Sequence, residues 1–166
     1  MGAAMVAKEF LQTHALFGGV SDDEIAMVVP MLREGQFPAG AFVVRQGEKA
    51  DRLFFIQEGS VDVLEEVSGP GGVVVKELAV LGPGDTFGEM ALIDIQPRSA
   101  SVRARTDLSV LSMSNMDMHT LYKESPHAFV IIVMNIAREI SRRLRKMNKL
   151  LASSVYSSDK PGTPGP

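Results

Sequence analysis

Phe87-Gly88-Glu89-Met90-Ala91-Leu92, followed after a short spacer by Pro97-Arg98-Ser99-Ala100-Ser101-Val102, is the stretch whose residue types could hold an anion. Gly88 lets the backbone turn, or approach a ligand, with no Cβ in the way. Glu89, Met90, Ala91 and Leu92 suffice for one short helix, and the free N–H groups of a helix's first turn suit a single phosphate. Pro97 biases Gln96 toward an extended conformation, so the helix should end before it. Arg98 then supplies a permanent charge and a planar fork of donors, and Ser99 a hydroxyl. Ala100, Val102 and Ala104 alternate with Ser101, Arg103 and Arg105, the pattern of a half-buried strand.

Glu89 narrows the choice of anion. A carboxylate beside bound phosphate is repelled unless it accepts hydrogen bonds from the same ligand. A ligand with one compact negative charge and a free sugar hydroxyl would satisfy Arg98 and Glu89 together, and a cyclic nucleotide has that combination. The bland alternatives are a turn carboxylate for Glu89, a strand-edge charge for Arg98 and a turn hydroxyl for Ser99.

Taken together, these residues resemble the phosphate-binding cassette of the cyclic-nucleotide-binding domain family, which includes catabolite activator proteins, kinase regulatory subunits and cyclic-nucleotide-gated channels. The resemblance implies that Glu89 binds the ribose 2′-hydroxyl and that Arg98 and Ser99 meet the cyclic phosphate. Backbone amides near Gly88 and Ala91 would complete the cradle, with Phe87, Met90 and Ala100 in the same ligand-binding set. By register with the activator relatives, Met147 and Asn148 fall near the base. A hydroxyl directly after the cassette arginine can also bridge to guanine in this family, so Ser99 leaves cGMP open, while the helix register favours cAMP. The implied protein is a sensor that binds its nucleotide without catalysis, needs no cofactor and pairs as a homodimer through its C-terminal helix. It would act on a downstream effector protein.

The surrounding elements can be read from pattern. Val6, Phe10 and Leu11 lie on a loosely helical segment, and Ser21-Asp22-Asp23-Glu24 is a capping-box signature ahead of Ile25, Val28, Val29 and Leu32. Pro30 should kink or stop that helix. Period-two segments follow at Phe42–Val44, Leu53–Ile56, Val61–Val63, Val73–Leu81, Ala100–Ala104 and Leu108–Met113, punctuated by Gly and Pro. Pro83-Gly84 has the residue order of a type II turn. Ser125-Pro126 opens a long helix with Phe129, Val133, Ile136, Ile140, Leu144, Met147 and Leu151 on one stripe. Its other side carries Arg138, Arg142, Arg143, Arg145, Lys146 and Lys149. The expected fold class is α+β: N-terminal helices over 4–34, a jelly-roll-like antiparallel β-roll over 35–113 and C-terminal helices over 114–152. Residues 153–166 should form a disordered tail or linker.

Composition removes several alternatives. The sequence has 166 residues, no cysteine and a formal charge of −3, which gives no reason to expect nucleic-acid binding by the whole molecule. No apolar run is long enough to span a membrane, and no signal peptide precedes the first helix, so a cytoplasmic location is the expectation. Walker-type and G-x-G-x-x-G spacings are missing. His14, His119 and His127 are scattered without metal-ligand spacing. No enzyme is expected. The alternatives are a β-roll interaction or dimerisation module with a vestigial pocket, or a truncated transcription regulator, since no helix-turn-helix follows the long helix.

Overall fold

The computed structural model describes residues 2–90 and 96–158. Helix α1 spans Gly2–Thr13 and leads into a 3₁₀ turn at Ala15–Phe17. Helix α2, Asp22–Val28, begins at the expected capping box: Glu24 N–H donates to the Ser21 hydroxyl, and the Glu24 carboxylate accepts from Ser21 N–H at 3.0 Å. Pro30 stops the helix as expected, leaving a 3₁₀ turn at Val29–Met31.

Among the described residues eight strands follow: β1 Arg33–Phe37, β2 Phe42–Val44, β3 Arg52–Glu58, β4 Val61–Gly69, β5 Gly72–Leu81, β6 Thr86–Phe87, β7 Ser101–Ala104 and β8 Leu108–Ser114. They form two antiparallel four-stranded sheets, ordered β1-β8-β3-β6 and β2-β7-β4-β5. The expected α+β fold, a β-roll with helices before and after it, is the one observed. Two strands escaped the pattern reading. β1 starts the roll at Arg33 rather than residue 35, and Arg-Glu-Gly-Gln-Phe has no apolar alternation because it is an exposed edge strand. β6 is only two residues long. The Pro83-Gly84 turn forms and is closed by Asp85 N–H donating to Gly82 O at 3.0 Å.

β3 shows how the sheets organise the core. Leu53 and Phe55 face the helices, while Phe54 and Ile56 face the interior of the roll, so both faces are buried. This explains its uninterrupted apolar run, each buried side chain contributing about 1.5–3 kcal/mol. On the other sheet, buried Asp62 of β4 accepts from Arg103 at 3.0 Å and from Arg105, which also reaches Glu77 of β5 at 2.6 Å. Burial pushes the Asp62 carboxyl up, but the two arginines outweigh it and hold it below its ordinary value. The network fixes β5 against β4.

Helix α3, Asn115–Glu124, has its own capping box at Ser114 and Asp117. Helix α4 runs from Pro126 to Ser158, with the Ser125 hydroxyl accepting from Ala128 N–H at 3.2 Å as the Ser-Pro signal implied. It continues past Ala152, so residues 153–158 extend the helix where an unfolded tail was expected; residues 159–166 lie outside the described set. Ala128, Ile132 and Ile136 are buried against α1, α2 and β3, with Phe129, Val133 and Ile140 packed beside them. Asn135 donates to Leu16 O at 2.9 Å and Gly18 O at 3.0 Å, pinning α4 to the first 3₁₀ turn. A second tie joins the start of α4 to α2. Glu24 accepts from the Ser125 hydroxyl at 2.8 Å and meets His127 Nδ1 at 2.9 Å. Ser21 N–H, then His127 and Ser125, hold its pKa down at about 2. Past Ile140 the helix leaves the core: Leu144, Met147 and Leu150 are exposed. No helix among the described residues is long and apolar enough to cross a membrane.

Candidate functional site

Eight of the ten residues singled out in sequence line one cavity. It has a volume of about 450 Å3 and lies between the second sheet, the segments Phe87–Met90 and Gln96–Ala100, and α4. Phe87, Gly88, Glu89, Met90, Arg98, Ser99, Ala100 and Met147 all line it. Ala91, and with it most of the short helix expected from Glu89, lies outside the described residues. Asn148 is not in the lining: one helical residue turns the side-chain direction by about 100°, and Met147 takes the cavity side. Val44, Val63, Leu78, Leu81 and Val102 complete an apolar wall. Leu78 is the extra residue of a β-bulge, because Val63 pairs with Ala79 and Leu64 with Glu77. Such a bulge re-aims a side chain.

Arg98 is built into this cavity from both ends. Its backbone is fixed by N–H donating to Glu48 O at 2.8 Å and by its carbonyl accepting from Gly47 N–H at 2.9 Å. Its guanidinium lies over the Phe54 ring at 5.7 Å and donates to Arg52 O at 3.1 Å. The residue is only 8% exposed, and its Nε has no partner. Among the described residues no carboxylate forms an ion pair with it. Burial pulls its pKa below the ordinary arginine value, against the weaker opposing pull of Asp51, Glu48 and Glu89. A buried cation without a counter-ion is costly, and an anion in the cavity would offset that cost.

Gly88 explains why the chain can wrap so closely. Its φ is +80°, and a Cβ added there would lie 2.6 Å from Arg98 Nη1 and 2.7 Å from Arg52 O. Glu89 follows directly and is 9% exposed. Its carboxylate accepts from Arg143 Nη1 at 2.8 Å, and Arg143 Nη2 donates to Thr86 O at 2.8 Å. Arg143 is the residue that sequence reasoning passed over. It was counted with the basic helix face, although its spacing of four from Met147 places both on one side of α4.

A cavity with a buried arginine at its floor and a carboxylate at its side has the chemistry of a phosphate-and-hydroxyl site. The family model described as cyclic nucleotide-binding domain matches residues 34–125. This chain belongs to the cyclic nucleotide-binding domain family. It is 43% identical over 111 residues to a cyclic nucleotide-gated potassium channel of Mesorhizobium japonicum, covering 67% of this chain and 28% of the channel. It is 32% identical over 156 residues to a CRP-like cAMP-activated global transcriptional regulator of Mycobacterium tuberculosis, covering 93% of this chain and 65% of the regulator. Thus the chain spans under a third of the one relative's length and just under two thirds of the other's. The crystal structure of a cyclic nucleotide-binding domain from Methylobacillus flagellatus superimposes with a TM-score of 0.79 at 22% identity, covering 98% of this chain and 86% of that one. At that identity the likeness speaks for the fold.

Proposed function

We propose that this domain is a cyclic-nucleotide sensor that binds cAMP in preference to cGMP, does not turn it over, and signals by repositioning α4. The observation that carries the reading is Arg98, a buried guanidinium without a carboxylate partner among the described residues, facing a cavity. In this reading Arg98 and Ser99 donate to the cyclic phosphate, and Glu89 accepts from the ribose 2′-hydroxyl. The base lies toward Val63, Leu78 and Met147. An apolar wall supports the adenine preference, because it leaves guanine's additional polar groups without partners. The M. tuberculosis relative described as cAMP-activated points the same way. Ligand discrimination tests the site: Glu89→Ala should weaken cAMP about ten- to a hundredfold, the worth of a charge-assisted hydrogen bond of about 1.5–3 kcal/mol. It should weaken 2′-deoxy-cAMP far less. Equal losses for both ligands would remove Glu89 from the ribose.

Signalling would run through Arg143. Its guanidinium holds Glu89 at 2.8 Å, so a ribose hydroxyl must share or displace it, and α4 beyond that point exposes Leu144, Met147 and Leu150. A ligand moves such an equilibrium only by its difference in affinity for the two positions. Exchange of the Arg143–Leu150 amides should therefore slow on adding cAMP and respond little to 5′-AMP. Unchanged exchange at saturation would make α4 static.

The homodimer belongs to the same reading, on a helix face that shares only Leu144 with the long stripe. Phe129, Val133, Ile136 and Ile140 are engaged in the core, whereas Val130, Met134 and Leu144 stay exposed. With Ala137 and Ser141 they repeat at spacings of four and three, a seam suited to a paired helix. Asn148 continues that seam. A monomer in sedimentation at about 10–100 µM, where a micromolar dimer would assemble, would rule the pairing out.

A further inference from the structure

His14 lies outside the cavity, between α1 and the first 3₁₀ turn, with the Gly82–Asp85 turn and Glu139 of α4 beside it. Its Nδ1 accepts from Leu16 N–H at 3.2 Å and so caps the first 3₁₀ turn. A nitrogen that accepts carries no proton, so the neutral ring holds its hydrogen on Nε2. The residue is 6% exposed, with ring centroids of Phe10, Phe17 and Phe55 at 5.4, 6.2 and 5.3 Å. The buried Nε2 has no hydrogen-bond partner. An orphaned buried donor is costly, and a native structure that keeps one invites a reason.

The groups around the ring give one. The Gly84 backbone approaches without completing a hydrogen bond, and the nearest negative charges are Asp85 in the same turn and Glu139 on α4. Glu139 is shared with Arg142 at 2.7 Å and Arg143 at 3.2 Å. The ring contacts from α1, the 3₁₀ turn and β3 are the uncharged Phe10, Phe17 and Phe55. Burial outweighs the Gly84 backbone and the two carboxylates and holds the imidazole below its ordinary value. Gly84 and Asp85 lead directly into β6, whose Thr86 carbonyl accepts from Arg143. The 3₁₀ turn that His14 caps also supplies the Leu16 carbonyl that holds Asn135 of α4. One side chain therefore caps the turn that seats α4 and lies beside the turn that leads into β6.

We propose that His14 is an acid-sensitive pin at this junction: on taking up a proton its ring leaves the aromatic enclosure and loosens the N-terminal turn, the Gly82–Asp85 turn and the seat of α4 together. The direction follows from proton counting. With the ring neutral, the native state binds fewer protons than the unfolded chain between the lowered native value and the ordinary histidine value of about 6.5. Stability is complete above that window and declines as pH falls through it.

His14→Asn tests the pin, because asparagine keeps a short acceptor for Leu16 N–H and cannot titrate. Between about pH 7.5 and 5, the range in which histidine changes charge, the melting midpoint of the unaltered protein should fall more steeply than that of the variant. Exchange at Leu16–Gly18 and Thr86–Gly88, corrected for intrinsic rates, should quicken several-fold in the unaltered protein alone. Since His119 and His127 remain in both proteins, the difference isolates His14. Parallel pH slopes would overturn the proposal, and so would a variant that is weaker by the same amount at every pH. If the variant does not fold, ring resonances of the unaltered protein decide: an Nε2–H tautomer titrating below the ordinary range supports the pin, and titration at or above that range overturns it. Every readout is taken without nucleotide, so failure here leaves the binding reading untouched.

Discussion

Arg98→Ala is expected to lose cAMP affinity by at least ten- to a hundredfold while the fold survives. One charge-assisted hydrogen bond is worth about 1.5–3 kcal/mol, and a guanidinium can present two to one phosphate. The effect on stability should be small because two terms oppose each other. Truncation relieves the burial of a cation that has no carboxylate partner among the described residues, and it leaves the Arg52 carbonyl without its donor. Arg98→Lys separates charge from geometry: it keeps the cation but not the planar fork, and should fall between the two. Calorimetric titration of all three proteins measures this. Equal cAMP affinity in the unaltered protein and Arg98→Ala would remove the cassette assignment.

Gly88→Ala should cost both binding and stability. A non-glycine residue at φ +80° carries about 1–2 kcal/mol of strain, and here the new Cβ would also meet the Arg52 carbonyl at 2.7 Å. The guanidinium end of Arg98 can retreat; the backbone of β3 cannot. Retreat moves the charge off the anion position, so affinity should drop at least tenfold. For a domain of this size each kcal/mol lowers the melting midpoint by about 2–4 °C. Gly84→Ala is the matched control, since its φ is +83° and nothing lies within 4 Å of its added Cβ. It should show the strain without the loss of binding. Equal affinity losses at the two positions would mean that strain, not the approach to Arg98, explains the result.

The legible parts of this chain were those where one physical preference acted alone. Phe42–Val44 was read with its observed bounds because aromatic and β-branched residues there are closed off by turn residues on both sides, Pro38-Ala39-Gly40 and Gln46-Gly47-Glu48. Gly88, Glu89 and Arg98 could be singled out because a ligand with a phosphate and a hydroxyl would need those types in that order, and the fold brings them to one cavity. β1 was hidden because an edge strand with solvent on its faces needs no apolar pattern. Arg143 was hidden because its role depends on where α4 lies across the roll, which no local spacing encodes. Met147 and Asn148 are adjacent in sequence, but only packing decides which of them faces the cavity. His14 looked unremarkable beside two other scattered histidines; its enclosure by three phenylalanines from three elements exists only in the folded chain.

The Arg98 cavity should select a cyclic phosphodiester with its ribose attached. Calorimetric titration of the unaltered protein with cAMP, and in parallel with 5′-AMP, measures that most directly. Saturable binding of one cAMP per chain at least tenfold tighter than 5′-AMP, about 1.4 kcal/mol, is the expected result. No saturable cAMP binding, or equal affinity for the two nucleotides, would contradict it.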